Sequence, residues 1–347
     1  NRQFGLTVYS NGKITATKIL VNGNQQLGAL FNNDMSNTPQ AVTITDSEFC
    51  DNMDEDDEAS YEFGLYVISN GVITLSSVLA ERNGSDSSSV TNGVRLENRS
   101  AGGAGVNITN LIAQDNKGEG LRVNTDGVIT MINVFINRNT GNGAYLNHSD
   151  STAVISITRN KSFPNCFDDN DGDGLLIETN GNITLSGFEA YNNSGYGVNL
   201  INNTATSPRT INVSNGNIAN NSNGDGLGIA ANGTVTVTSV NSDQNSANGV
   251  IIETSGNTNL TNVNVMGNSG NGILVNSNGN VVLKSVTGGY NSVNGLYVYN
   301  TGGTSTVTMD KTTQENAFYG NGVRGVEINS NGNVSLKYLS VTGSGET

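Results

Sequence analysis

The stretch Gly174-Leu175-Leu176-Ile177-Glu178-Thr179-Asn180-Gly181-Asn182-Ile183-Thr184-Leu185-Ser186-Gly187-Phe188-Glu189-Ala190-Tyr191-Asn192-Asn193-Ser194-Gly195 holds one full unit of a pattern that fills the chain. Leu185 follows Gly174 by 11 positions and Asn193 follows Leu185 by 8. The same offsets recur at Gly249-Leu260-Asn268 and Gly272-Leu283-Asn291, and the next Gly arrives 4 residues after the Asn, so the basic period is 23. Self-similarity at such a period marks a solenoid, in which each unit buries its apolar face only against its neighbours.

Within the quoted unit, Gly174-Leu175-Leu176-Ile177 reads as a short strand, Asn180-Gly181 as a turn and Ile183-Thr184-Leu185 as a second strand. Phe188 and Ala190 read as inward positions of a third, and Asn192-Asn193-Ser194-Gly195 as the closing corner. Strands this short, separated by Asn and Gly, suit a coil whose strands each pair with their counterparts one coil above and below. Helical solenoids need apolar stripes at 3.6-residue spacing, which are absent. The expected fold is therefore all-β, a right-handed parallel β-helix of about 13 coils with a 23-residue basic repeat and an Asn ladder.

The anchoring Gly row runs 5, 28, 64, 93, 120, 143, 174, 197, 226, 249, 272, 295 and 325. The ladder is expected at Asn24, Asn52, Asn83, Asn116, Asn139, Asn165, Asn193, Asn221, Asn245, Asn268 and Asn291, with Asn316 one residue out of register. Stacked identical amides can chain along the axis, and Asn tolerates the left-handed backbone of such a corner. Residues 1–347 read as a single β-helix, open at both ends. Phe4-Gly5-Leu6-Thr7-Val8 begins a coil without a covering helix, and Gly343-Ser344-Gly345-Glu346-Thr347 stops where a corner Asn is due.

Composition narrows the function. With 44 Gly, 3 Pro and a net charge of −14, the chain lacks the clustered Lys and Arg that nucleic acid requires. No apolar run is long enough to span a bilayer. Cys50 and Cys166 fall four coils apart, about 19 Å at the strand spacing and beyond disulfide reach.

The G-x-L-x-V, N-G-N-I-T-L and N-x-S-G-N-G segments resemble the parallel β-helix repeats of the pectate-lyase-like superfold, in particular Asn-rich, non-catalytic arrays of secreted and surface proteins. The resemblance covers residues 4–344. It implies the fold, and an extracellular or cell-surface setting.

Two acidic segments are candidate cation sites. Asp169, Asp171 and Asp173, followed by Gly174, match the opening D-x-D-x-D-G of a calcium loop, although Asn180 stands where the bidentate acid is due. The second segment, Asp54, Glu55, Asp56, Asp57 and Glu58, reads first as a solvated charge run. Calcium is thus the one candidate cofactor. Enzyme chemistry finds little material in this reading. The acids fall in loops, Lys and Arg total 16, Trp is absent, and the single His, His148, is expected exposed in a loop.

These readings converge on a non-enzymatic structural role: a filament subunit, stalk or adhesin shaft assembling head to tail through its ends. The alternatives are an adhesin module binding surface glycans or another partner through loops on one edge, and, further off, a polysaccharide lyase or hydrolase. The outward Thr15, Thr74, Thr130, Thr184, Thr236 and Ser335 fit ordinary exposed strand positions.

Overall fold

The computed structural model describes residues 4–53, 62–85, 91–98, 103–148, 151–160 and 163–345. Among them every regular element is a strand, the strands pair in parallel, and the coils come to about 12 turns of a parallel β-solenoid. The chain divides into two compact units, Asn1–Glu178 and Thr179–Thr347.

In the first unit, one face of the coils is built by Phe4–Tyr9, Leu27–Asn32, Glu62–Ser69, Thr91–Asn98, Glu119–Thr125 and Ala144–His148. Their register stacks Val8, Phe31, Val67, Leu96, Val123 and Leu146 in one column. From Phe31 to Leu146 these side chains are at most 2% exposed. Alternation does the rest: apolar residues at every second position turn inward and their neighbours turn to solvent. The other two faces share strands. Val42–Cys50, Ile73–Glu81 and Val106–Gln114 pair in register along their whole length. Each bends once, at Asp46 (φ 51°), Ser77 (φ 55°) or Asn110 (φ 54°). A single residue in the left-handed region reorients the strand without breaking its ladder, so the second and third strands of the sequence reading merge here.

The second unit repeats this plan. Its first face is Val198–Ile201, Leu227–Ala231, Val250–Thr254, Ile273–Ser277, Asn294–Asn300 and Arg324–Ser330, with Leu200, Ile229, Ile252, Val275 and Val298 inside. Bulk in one coil is matched by its absence in the next. Phe188, 1% exposed, packs over Gly216, where an added Cβ would lie 2.2 Å from the ring.

The Asn ladder is present in both units. In the first it runs Asn24, Asn52, Asn83, Asn116, Asn139 and Asn170; in the second, Asn193, Asn221, Asn245, Asn268, Asn291 and Asn321. Asn268 shows the full set. Its Nδ2 donates to Asn291 Oδ1 at 2.9 Å and to the Ser242 carbonyl at 2.9 Å. Its Oδ1 accepts from Asn245 N and Nδ2, both at 2.9 Å. The carboxamide lies against the row Gly, and a Cβ on Gly249 would fall 2.7 Å from Asn268 Nδ2. The Gly row thus exists because the ladder occupies the space of its side chains.

Three expectations are corrected. Asn165 is not a rung; Asn170 is. Asn165 Oδ1 instead accepts from Val134 N at 3.1 Å, at the preceding corner. Asn316 does the same for Val286 N at 2.9 Å, and Asn321 takes the rung. In both coils the extra residues enter before the third strand, which shifts the rung five places along. His148 is also not an exposed loop residue. It ends the strand Ala144–His148, is 1% exposed, and stands one coil after Thr125 in the register.

Burial lowers the His148 pKa, against hydrogen bonds to the Asp126 and Gly127 backbone that raise it. The neutral ring is the folded form, so its contribution is present above the unfolded value near 6.5 and is lost as pH falls through the lower folded value. The melting temperature should therefore drop between pH 7 and pH 5 more steeply in the parent than in His148→Thr. Parallel slopes would refute the burial argument.

Candidate functional site on a strand face

The outward positions of the first unit's first face gather charged and aromatic side chains. Register places Leu30, Tyr66, Arg95, Arg122 and Tyr145 in one row across five strands. Phe63, Asn92 and Glu119 form a flanking row on one side, and Glu97, Asn124 and Asn147 on the other. Each row residue sits 2 positions after its coil's Gly: Tyr66 after Gly64, Arg95 after Gly93, Arg122 after Gly120 and Tyr145 after Gly143.

The side chains interlock. Arg95 donates from Nη2 and Nε to Glu97 Oε1 at 2.7 and 2.9 Å, and its guanidinium lies 5.5 Å from the Phe63 and Tyr66 ring centres. Arg122 Nη1 donates to Glu119 Oε1 at 3.0 Å, and its guanidinium covers the Tyr145 ring at 4.6 Å. The Tyr145 hydroxyl donates directly to Glu178, and Asn92 Nδ2 to Glu119. Three buried atoms here, Arg122 Nε, Asn92 Oδ1 and Asn124 Oδ1, have no hydrogen-bond partner among the described residues. Such groups are costly to bury unless something else meets them.

Burial first, and then the bond to the Glu178 carboxylate, push the Tyr145 phenol up to about 12. Tyr145 is therefore held as a proton donor and Glu178 as its acceptor, beside the Arg122 cation. A folded phenol ionising later than the unfolded one contributes stability below pH about 10, lost as pH rises through about 12. In a phenolate absorbance titration, the difference between the parent and Tyr145→Phe should be a single step centred near 12. A step near 10 would show that the phenol feels neither burial nor Glu178.

The D-x-D-x-D-G motif lies elsewhere, at the ladder corner. Asp169 takes the left-handed position (φ 57°) before the buried rung Asn170. Asp171 N donates to the Asn139 carbonyl at 2.9 Å and Asp173 N to Asn142 Oδ1 at 2.8 Å. Among the described residues, no three His, Cys, Asp or Glu side chains form a metal-holding group. Asp169 instead ends a row of left-handed corner residues, Asp51, Arg82, Asp115, Arg138 and Asp169. The row alternates in charge: Arg82 reaches Asp51 Oδ1 and Oδ2 at 2.6 and 3.0 Å, and Arg138 reaches Asp115 Oδ1 and Oδ2 at 2.8 and 2.8 Å. Arg138 is held charged first by Asp115 and, more weakly, by Asp169. The candidate acidic loop, Asp54, Glu55, Asp56, Asp57 and Glu58, lies outside the described residues. Cys50 and Cys166 are both buried thiols and are not joined to each other.

No family model matches the sequence, and no curated protein matches it significantly. Solved structures do share the fold. One, a periplasmic alginate epimerase, is 13% identical over 96% of this chain and 78% of its own, with a TM-score of 0.45. Another, the A-module of a mannuronan C-5 epimerase of Azotobacter vinelandii, is 14% identical over 88% of this chain and 87% of its own, with a TM-score of 0.43. At this identity the likeness is one of fold alone. The expectation of a structural filament subunit or stalk with no enzymatic activity is nonetheless overturned. The solved structures named are themselves epimerases. In addition, the sequence reading placed the acids in loops, whereas Glu97, Glu119 and Glu178 stand on strands and meet Arg95, Arg122 and Tyr145 there.

Proposed function

We propose that this chain modifies a polysaccharide, held across the strands of the first unit's first face. The observation that carries this is the direct bond between Tyr145 and Glu178 beneath the Arg122 guanidinium, at the end of a row of aromatic and basic side chains. Flat rings suit the apolar faces of sugars, and the interspersed amides and carboxylates suit their hydroxyls. Tyr145, kept protonated, serves as the donor to a sugar oxygen or carbon. Glu178 is the carboxylate that takes up a proton, and Arg122 stabilises negative charge as it develops on the sugar. Proton transfer at a sugar ring is the reaction class this trio can support. The setting that suits such a substrate lies outside the cytoplasm.

The test is incubation of the purified chain with uronate-containing and neutral polysaccharides, followed by proton NMR of the polymer in deuterated solvent. Altered stereochemistry, new unsaturation or deuterium at a ring carbon would support the reading. Unchanged polymers across the set, with parent and Glu178→Gln indistinguishable, would overturn it.

A further inference from the structure

Among the described residues, the guanidinium of Arg122 makes one hydrogen bond, from Nη1 to Glu119 Oε1 at 3.0 Å, and one ring contact, with Tyr145 at 4.6 Å. Glu119 is in turn anchored from the preceding coil. Asn92, fully buried and opposite it in the register, donates its Nδ2 to Glu119 Oε2. The carboxylate fixes the orientation of that amide, because only its nitrogen can donate. Asn92 Oδ1 has no hydrogen-bond partner among the described residues.

Glu119 also departs from its own row. The place before the row Gly is most often a short amide or acid, as at Asn92, Asn142 and Asp173, or at Asp225, Asn248 and Asn271 in the second unit. Those short side chains bond along the axis. Asn248 Nδ2 donates to Asp225 Oδ1 at 2.8 Å, Asn271 Nδ2 to Asn248 Oδ1 at 3.0 Å, and Asp173 N to Asn142 Oδ1 at 2.8 Å. Glu119 is longer by a methylene. One of its oxygens keeps the axial bond, to Asn92, and the other leaves the row for Arg122 on the strand face.

Charges of both signs face Tyr145. Glu119 and Arg122 come from the strand before it and Glu178 from the strand after, while Asn147, the other outward residue of its own strand, is uncharged. Burial and Glu178 do most to keep the phenol protonated; Glu119 acts in the same sense and Arg122 against it. We propose that Glu119 is the positioning residue of this site, holding the Arg122 guanidinium over Tyr145 while offsetting its charge there. Held so, the cation meets negative charge as it develops on the sugar, and the carboxylate beside it keeps it from drawing the proton off Tyr145 beforehand. This role deepens the proposed function and rests on it for any effect on turnover; the aim of Arg122 can be read without substrate.

The test is the phenolate absorbance step of Tyr145, taken as the difference between each protein and the same protein carrying Tyr145→Phe. In Glu119→Gln the side-chain oxygen still accepts from Arg122, and Asn92 can turn its amide over to accept from the new nitrogen, since its Oδ1 has no partner to lose. The cation then stays over the ring with its charge no longer offset, and the step should fall from about 12 by roughly one unit. In Glu119→Ala nothing holds the guanidinium, so the step should stay near that of the parent. Turnover by Glu119→Ala should fall about tenfold to a hundredfold in kcat, and Glu119→Gln should recover most of the loss. Circular dichroism checks the folding of both. A Glu119→Gln step that coincides with the parent's would overturn the role, because the charge is then not felt at Tyr145. So would a Glu119→Ala step that falls as far as that of Glu119→Gln, because Arg122 then keeps its place unaided. A parent that acts on no polysaccharide would instead remove the proposed function, and the two titrations would still decide the role of Glu119.

Discussion

Glu178→Gln is expected to lower polysaccharide turnover by about a hundred- to ten-thousand-fold, the usual worth of a positioned acid–base group. The amide keeps the shape of the carboxylate and still accepts the Tyr145 hydroxyl through its oxygen, but it cannot take up a proton. KM should therefore change little while kcat falls. Tyr145→Phe removes the donor and leaves Glu178 with one partner fewer, and the loss should be of similar size. Because the two act as one unit, the double variant should be scarcely worse than either single one. Multiplying losses would mean that the residues work independently. A Glu178→Gln variant within about threefold of the parent would remove Glu178 from the chemistry altogether.

The largest loss of stability is expected from the ladder. Asn268→Ala deletes four hydrogen bonds in a fully buried corner, takes this partner from the Asn245 N–H and the Ser242 carbonyl, and leaves the Asn245 side-chain amide with Ser242 Oγ alone. At roughly 1–3 kcal/mol for each buried polar group left unmet, with partial relaxation, the cost is about 3–5 kcal/mol. Solvent reaches the neighbouring Ser269 far more easily, and Ser269→Ala should cost under about 0.5 kcal/mol. Urea unfolding of the two variants side by side reads the difference. A ladder variant that unfolds with the parent would show that the amide row is a bystander to stability.

The fold was legible because its two signals are forced by packing. A Gly recurs wherever the rung amide presses on the strand, as at Gly249, and an Asn recurs wherever four hydrogen bonds must close inside a corner, as at Asn268. Both rows face inward, where substitution is costly. The misplaced rung shows the limit of this. Asn165 and Asn170 are five residues apart, both buried and both bonded to a neighbouring coil, and only the register tells which one stacks on Asn139. His148 was misjudged for a related reason: its polarity and the Ser and Asp after it read as a loop, whereas its position after Leu146 points it inward.

The site was far less legible. Outward positions vary freely from coil to coil, so no recurrence draws the eye to them. A signal did exist: Arg95 and Arg122 share one offset from Gly93 and Gly120, and Tyr66 and Tyr145 share it too. The total of Lys and Arg concealed that alignment, because a low count says nothing about where the few fall. The acidic motifs were conspicuous by contrast. Yet in Asp169-Asn170-Asp171 the central residue belongs to the ladder, so the spacing that resembles a cation loop is the spacing of the corner itself.

The ladder also has a direction. In each unit the Nδ2 of one rung donates to the Oδ1 of the next, always toward later coils, so the amide dipoles point one way. A direction of this kind makes the coil a unit of inheritance. Excising residues 249–271 would bring Asn245 against Asn291 with the same donor facing the same acceptor, and duplicating them would add one more link of identical sense. Whole turns can therefore be added or removed without breaking the ladder, and each added turn brings fresh outward positions that the interior does not constrain.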